Sequence, residues 1–267
     1  MRVTVLGSGT SHGVPAIGCT CAVCTSTDPH DSRTRPSILI ELDEPSASPF
    51  AEGVRSILVD TTPDLRSQAL ANNVRRVDAI LFTHSHADHV FGLDEIRRYN
   101  QMQKTSIGGY ADARTADALR RTFSYIFEGP LQKGGGVPKL ALFEIVGPFT
   151  LGGVEIVPLV LMHGQLPVLG FRMGTFAYLT DCNAIPDESW RLLTANGGVR
   201  TLILDALRRR THSTHFSLSE AVDVATRLGV ERAYFTHIAH DLPHAETCAG
   251  LPPHLQLAYD GLVLEHV

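Results

Sequence analysis

Four side chains that can bind metal ions fall within six residues, directly after the apolar run 77–82. The segment is LFTHSHADH, and the four side chains are His84, His86, Asp88 and His89. In an extended loop the two histidines of His-x-His face the same way and can share one ion, whereas Asp88 and His89 turn toward a second. Thirteen histidines make chance clusters expected, but the strand-then-loop context favours chemistry. The pattern predicts a two-metal site at the end of a buried strand.

Three further metal-capable residues follow apolar, β-rich runs later in the chain. His163 follows VEIVPLVLM, Asp181 follows FAYLT, and His237 follows ERAYFT. These runs predict that each residue lies at the C-terminal end of a strand. A lone histidine after a strand is more often an ordinary surface or core residue, but four strands that end the same way indicate a shared site.

The combined set resembles the metallo-β-lactamase-fold hydrolase superfamily over nearly the whole chain. The resemblance implies a first metal bound by His84, His86 and His163 and a second bound by Asp88, His89 and His237. It implies that Asp181 bridges both metals and is therefore catalytic. It also implies that Asp60, which ends the run SILVD, orients a metal-binding histidine through a hydrogen bond.

A second metal signal lies near the N-terminus, where Cys19, Cys21 and Cys24 form Cys-x-Cys-x-x-Cys. Three thiolates need a fourth ligand to complete a tetrahedral zinc site. A disulfide is the competing interpretation, but an odd cluster of three, five cysteines overall and no recognisable secretory signal peptide favour zinc in a reducing compartment. His240, in the segment THIAH, is the favoured fourth ligand, and Cys248 is the alternative.

The cysteine loop and the THIAH segment together resemble the PhnP subfamily of phosphodiesterases, known for cyclic ribose phosphate chemistry in phosphonate breakdown. The segments THSHADHVFGL and YLTD fit the same pattern. The resemblance implies a structural zinc, in a loop at about 18–26, on Cys19, Cys21, Cys24 and His240. It also implies a homodimer.

Two metal ions do not by themselves select a substrate, because the same pair can attack phosphorus, a thioester or a lactam carbonyl. His215, in RRRTHSTHFSLSEA, is similar in position to the active-site histidine that the PhnP subfamily uses beside the scissile phosphate. As an imidazolium it can stabilise developing negative charge or protonate the leaving alkoxide. His212 is a rival for this role, and the alternative for both is a polar surface position before a helix.

Length and composition predict one domain over residues 1–267, because 43% hydrophobic residues suffice for a sizeable core and the catalytic ligands span 84–237. Apolar runs predict strands over 2–6, 37–42, 56–59, 77–83, 154–161, 176–180, 201–204 and 232–236. Helical composition predicts helices over 65–72, 92–102, 113–122, 187–194 and 218–228, the last capped by Ser217 with Glu220. These patterns indicate only an α/β protein. The resemblance implies a four-layer αββα metallo-β-lactamase-type sandwich with the metals at one edge between the sheets.

The formal net charge of −5 and the pI of about 6.2 give no basic surface for a long polyanion. Local basic groups can still bind one phosphate, and the candidates are Arg33, Arg35, Arg208, Arg209 and Arg210. No apolar stretch approaches the roughly 20 residues that cross a bilayer. We therefore expect a soluble, cytoplasmic protein that binds neither long nucleic acid nor membrane.

The sequence favours a dinuclear metal-dependent phosphodiesterase that hydrolyses small cyclic or linear phosphodiesters, of cyclic ribose phosphate or nucleotide type. Two ions about 3.5 to 4 Å apart lower the pKa of a bridging water so that hydroxide forms near neutral pH. Zinc and manganese both stay open as the catalytic pair. One alternative is a tRNA 3′-processing endonuclease of the same superfamily, which the acidity disfavours. Another is a non-catalytic, metal-stabilised binding protein, which the complete ligand set disfavours.

Overall fold

The computed structural model describes residues 1–42, 54–128 and 136–267 and contains two seven-stranded sheets. The first sheet has the order β14-β1-β2-β3-β4-β5-β6. Its strands are β1 Arg2–Gly7, β2 Ser37–Glu41, β3 Ser56–Val59, β4 Ala79–Leu81, β5 Ile107–Ala111, β6 Leu140–Glu144 and β14 Val263–Leu264. The second has the order β13-β12-β11-β10-β9-β8-β7. Its strands are β7 Phe149–Leu151, β8 Val154–His163, β9 Leu166–Met173, β10 Phe176–Leu179, β11 Thr201–Asp205, β12 Arg232–Thr236 and β13 Leu255–Leu257.

Eight α-helices are present in the described part of the chain. They are α1 Leu65–Ala71, α2 Ala87–Val90, α3 Ile96–Gln103, α4 Ala113–Thr122, α5 Ser124–Phe127, α6 Asp187–Thr194, α7 Leu218–Leu228 and α8 His244–Ala249. Short 3₁₀ segments occupy Pro29–Asp31 and Leu93–Glu95. None of the helices in these ranges is long and apolar enough to cross a bilayer.

Three apolar layers hold the sandwich together. Between the sheets, side chains such as Ile38 and Val59 of the first sheet pack with Phe171 and Tyr178 of the second. The outer face of the first sheet packs against α1, α3 and α4, and the outer face of the second against α6 and α7. Burying both faces of each sheet gives the four-layer αββα sandwich, so the predicted fold class is confirmed.

Each predicted strand and helix is present, five of them with the bounds that the sequence indicated: β3, β12, α4, α6 and α7. The capping box at the start of α7 is also present, because Ser217 accepts from the Glu220 backbone and Glu220 accepts from the Ser217 backbone. The helix predicted over 92–102 begins instead with a 3₁₀ turn, and its α-helical part starts at Ile96.

Six strands were not predicted, and they share weak local signals: β5, β6, β7, β9, β13 and β14. β5 reads IGGYA and β9 reads LPVLGFRM, so glycine and proline interrupt the β-rich pattern. β13 and β14 contain three and two residues. Tertiary pairing, which a local pattern does not report, supplies these strands.

In each sheet, the strands that lead to the candidate site end at one edge of the sandwich. β3 and β4 run parallel in the first sheet, and β10, β11 and β12 run parallel in the second. The chain therefore leaves each of these strands in the same direction. The loops that follow them carry the candidate site.

Candidate metal centre

Four of the predicted ligands converge at the shared edge. One ligand atom from each of Asp88, His89, Asp181 and His237 lies within 4.8 Å of all the others. His89 Nε2 lies 3.1 Å from Asp181 Oδ2 and 3.4 Å from Asp88 Oδ2. His237 Nε2 lies 3.3 Å from Asp181 Oδ1 and 3.7 Å from Asp88 Oδ2.

The remaining predicted ligands, His84, His86 and His163, border this group, and the ring of His84 lies 4.2 Å from that of His89. The ring of His84 is 4.5 Å from that of His86 and 5.8 Å from that of His163, measured between centroids. His86 and His163 are 5.3 Å apart, and His84 Nε2 is 4.0 Å from Asp181 Oδ1. The Asp181 carboxylate therefore lies within 4.0 Å of imidazole nitrogens from both predicted ligand sets.

The ring nitrogens of this cluster fit metal ions better than they fit hydrogen bonds. Within the described chain, the buried Nε2 atoms of His84, His89 and His237 make no hydrogen bond. With metal–nitrogen and metal–oxygen bonds of about 2.0–2.2 Å, two ligands of one tetrahedral ion lie about 3.4 Å apart. The nitrogen–oxygen distances around Asp88 and Asp181 match that spacing. Unpaired buried polar atoms are costly, so the donor set fits divalent cations.

Hydrogen bonds fix which nitrogen each histidine presents. His163 Nδ1 donates to the Thr214 carbonyl at 2.9 Å, and His89 Nδ1 donates to Asp60 Oδ2 at 2.7 Å. The second nitrogen of each ring is thereby left for a cation, as is usual for histidine ligands.

Asp60 is a fully buried carboxylate that organises the first metal-binding segment. Besides the His89 ring it accepts the Thr83 backbone N–H at 2.8 Å and the Thr83 hydroxyl at 2.7 Å. His84 Nδ1 in turn lies 3.0 Å from Thr83 Oγ1 and donates to it. One carboxylate thus orients two imidazoles, one directly and one through a hydroxyl.

Three site residues sit in the left-handed backbone region immediately after a strand. Asp60, Asp181 and His237 have φ of 64°, 54° and 61°. Non-glycine residues rarely adopt this region, and each costs of order 1 kcal/mol. The sharp bend turns each side chain from the strand direction into the shared edge.

Buried carboxylates set the protonation of the cluster. Burial alone would lower the pKa of His89, but Asp181, Asp60 and Asp88 raise it well above its usual range. Burial likewise opposes, and Asp181 and Asp88 favour, the charged form of His237, whose pKa rises to about 9. The pKa of Asp181 is held well below its usual range by His237 and His89, against the opposing effect of its own burial. When no cation is bound, protons on the histidines balance the charge of these carboxylates. Binding of a metal ion releases those protons.

The structure separates the two candidate catalytic histidines. His215 is buried, its Nδ1 donates to Asp205 Oδ2 at 2.7 Å, and its ring lies 4.4 Å from His237 and 4.6 Å from His163. His212 is partly exposed, its Nδ1 accepts the Thr214 N–H, and its ring lies 5.2 Å from that of His215.

Asp205 was not among the predicted site residues. It is fully buried at the end of β11, and its Oδ2 also accepts the Cys182 N–H at 2.9 Å. The signal was present, because the run TLILD ends in aspartate as SILVD does.

The helical character of one part of the motif was also missed. His84 and His86 follow the strand in extended chain, but Asp88 and His89 lie on α2. The prediction of a loop throughout was wrong, because Ala87–Val90 closes a single helical turn.

The cysteine cluster forms a second group of ligand atoms. His240 Nδ1 lies 3.2, 3.5 and 3.3 Å from the sulfurs of Cys19, Cys21 and Cys24. Zinc with bonds of about 2.3 Å to sulfur and 2.0–2.1 Å to nitrogen would hold these atoms about 3.6 Å apart. Cys248, the alternative fourth ligand, lies instead 3.7 Å from His244 Nε2. All five cysteines are free.

The prediction that Arg33 binds phosphate was wrong. Its side chain is 1% exposed and donates to Asp31 and to the carbonyls of His30, Ala239 and Leu242. These bonds use the guanidinium to anchor the segment after β12, which charge alone did not indicate.

Known proteins similar to this chain were compared with it by sequence. Residues 55–238, more than half of the chain, match the family described as beta-lactamase superfamily domain. An octanoyltransferase from Porphyromonas gingivalis is 38% identical over 264 residues, which are 98% of this chain and 51% of that protein. The chain thus spans about half the length of that relative. Coenzyme PQQ synthesis protein B from Xanthomonas euvesicatoria is 26% identical over 90% of this chain and 80% of its own.

Solved structures with the same fold include a diphosphatase from the PhnP family. It has a TM-score of 0.86 and 42% identity, covering 99% of this chain and 97% of its own. Zinc-bound PqqB from Methylobacterium extorquens has a TM-score of 0.77 and 20% identity, over 99% and 100% of the two chains. The short form of human tRNase Z has a TM-score of 0.68 and 18% identity, over 99% of each chain. The last two likenesses concern the fold alone.

Replacing the organising carboxylate should weaken metal binding while the fold persists. We expect Asp60→Asn to lower the affinity of the ion next to His89 about 10- to 100-fold, because an amide cannot stabilise that imidazole as a carboxylate does. Equilibrium dialysis with zinc measures the change. Asp117→Asn, at an exposed aspartate paired with Arg120, is the matched control. Equal affinities for the two variants would contradict the role given to Asp60.

Proposed function

We propose that this chain, which belongs to the beta-lactamase superfamily, is a metal-dependent hydrolase that acts on small cyclic or linear phosphodiesters of the cyclic ribose phosphate or nucleotide type. The observation that carries the proposal is the position of His215. A buried imidazole, held by Asp205, lies directly against the rings of two predicted metal ligands.

Two divalent cations, zinc or manganese, are proposed at the edge of the sandwich. The first would be held by His84, His86 and His163, the second by Asp88, His89 and His237, with Asp181 between them. Such a pair lowers the pKa of a shared water and neutralises negative charge on the reacting group. The 3.1–3.7 Å spacing of nitrogen and oxygen atoms supports the second of these sites.

His215 adds a proton donor beside the two proposed cations. Its Nδ1 proton is committed to Asp205, so Nε2 is the atom free to act toward the substrate. There it can stabilise charge on a phosphoryl oxygen or protonate the leaving oxygen.

The family supports a reaction at phosphorus. The PhnP-family diphosphatase matches nearly all of both chains at 42% identity. The net charge of −5 disfavours the tRNA-processing alternative, since proteins that grip long nucleic acid present basic surfaces. Binding of small phosphate esters does not require an extended basic surface.

A structural zinc is proposed on Cys19, Cys21, Cys24 and His240. Ile238, next to His237, makes backbone hydrogen bonds with Ser8 and Thr10, in the segment that precedes the cysteine loop. The zinc would therefore hold the segment that delivers His237.

Loss of the histidine should release this zinc. We expect the native protein to retain about one zinc per chain through mild chelation, because a closed thiolate site has no open position. His240→Ala should lose that zinc and keep the catalytic pair, whereas Cys248→Ala should retain it. Metal analysis after dialysis against a weak chelator gives the counts. A disulfide between Cys19 and Cys24 under reducing conditions would contradict the zinc site.

Replacing His215 should affect substrates according to their leaving group. An alkoxide leaves poorly and gains about 10² to 10⁴-fold from a positioned acid, whereas an activated aryl oxide needs little help. We therefore expect His215→Ala to slow hydrolysis of an alkyl or cyclic diester far more than that of a 4-nitrophenyl diester. His215→Asn, which keeps a donor toward Asp205, should behave alike.

His212→Ala is the control and should leave the alkyl-to-aryl rate ratio unchanged, with metal content constant in all variants. Equal losses on both substrates would mean that His215 only binds phosphate. Unchanged rates on both would remove it from the reaction.

A further inference from the structure

A cleft of about 620 Å³ lies at the end of the sandwich where β6, β7 and β8 meet. Its walls are the 145–148 loop, Pro158 and Val160 of β8, Leu169 of β9 and Pro186. These groups are apolar. The volume lies within the range of small-molecule sites, roughly 300–1,000 Å³.

Two strands that line the cleft lead toward the candidate metal centre. Leu169 N–H donates to the Thr83 carbonyl at 2.9 Å, and Thr83 directly precedes His84. Val160 lies three residues before His163 on the same strand, which at about 3.3 Å per residue is about 10 Å. A substituent on a phosphorus atom held at the centre can span that distance.

The cleft and the segment around Arg208 differ in charge. Within the described chain no lysine, arginine or histidine lines the cleft, whereas Asp112 and Glu188 do. An anionic group would be repelled there. The cleft therefore suits an uncharged group.

Three arginines follow β11, in a segment that contacts the chain just beyond His215 and His237. The backbone of Arg208 is held by Leu218, just beyond His215, and the neighbouring Leu207 pairs with Ala239, just beyond His237. Arg209 and Arg210 face the carboxylates of Glu246 and Asp241. In the described chain the Arg208 guanidinium donates only to backbone carbonyls, so its charge has no carboxylate partner.

We propose that the cleft binds an uncharged, apolar arm of the phosphodiester, and that any further negative charge on the substrate lies toward Arg208. The preferred substrate is therefore unsymmetrical about its phosphorus atom. This inference rests on the proposed function and adds the chemical class of one substituent. Each methylene buried in the cleft should strengthen binding about fourfold.

Binding of simple phosphonates to the zinc-loaded protein tests the cleft without turnover. Isothermal calorimetry compares methylphosphonate, butylphosphonate and 2-carboxyethylphosphonate, which share one head group and differ in the arm. Butylphosphonate should bind at least about tenfold more tightly than methylphosphonate. It should also bind more tightly than the carboxylate-bearing ligand, because Asp112 and Glu188 repel a second anion.

Two substitutions in the cleft test whether the arm binds there. Val160→Glu and Val146→Glu add a charge at side chains that are 48% and 90% exposed, so folding should tolerate both. Each should reduce the butyl-to-methyl affinity ratio to near one and leave methylphosphonate binding unchanged. Val263→Glu, the same change at a valine 37% exposed on β14, should keep the native ratio.

The outcomes separate this inference from the proposed function. Graded phosphonate binding in a protein that hydrolyses no diester would overturn the proposed function and keep the cleft. Diester hydrolysis together with phosphonate affinities that do not depend on arm length would overturn the role of the cleft. A preference for butylphosphonate that both cleft variants retain would also overturn it. Undetectable binding of all three phosphonates would overturn it as well.

Discussion

The structure depends on concentrating negative charge at a buried edge and balancing it. Asp60, Asp181 and Asp205 are at most 2% exposed, and Asp88 is 8% exposed. Burying an uncompensated carboxylate costs several kcal/mol, so these groups need compensating partners. Asp205 accepts a hydrogen bond from His215. His89 and His237 lie against the other carboxylates, which raise the pKa of both imidazoles despite their burial. Two divalent cations would compensate the same negative charge.

The sandwich brings these charges together with little help from the site itself. The apolar layers between and outside the sheets are built from residues such as Ile57, Phe171 and Leu204. The metal-binding side chains instead follow the strand ends. Fold stability and site chemistry thus come from different parts of each strand, which is how residues distant in sequence can be specialised for function. The left-handed conformations of Asp60, Asp181 and His237 are a local cost that the surrounding sheets hold in place.

Much of this could be predicted from sequence because each ligand follows an apolar strand. His163, Asp181 and His237 are found at the predicted strand ends, and the cysteines meet His240. Asp205 was missed although TLILD ends in aspartate as SILVD does, since the contact that distinguishes it, a hydrogen bond with His215, appears only in the fold. Arg33 was misjudged because its burial depends on the loop after β12, which lies more than 200 residues away. That residues 1–267 form one domain stays a prediction.

The central claim is that the edge of the sandwich holds two cations with Asp181 between them. Anomalous diffraction from crystals grown with zinc measures this directly. The account predicts two peaks about 3.5 to 4 Å apart, one near His84, His86 and His163 and one near Asp88, His89 and His237, each within bonding distance of Asp181. A single peak among these residues, or two peaks of which only one contacts Asp181, would contradict it.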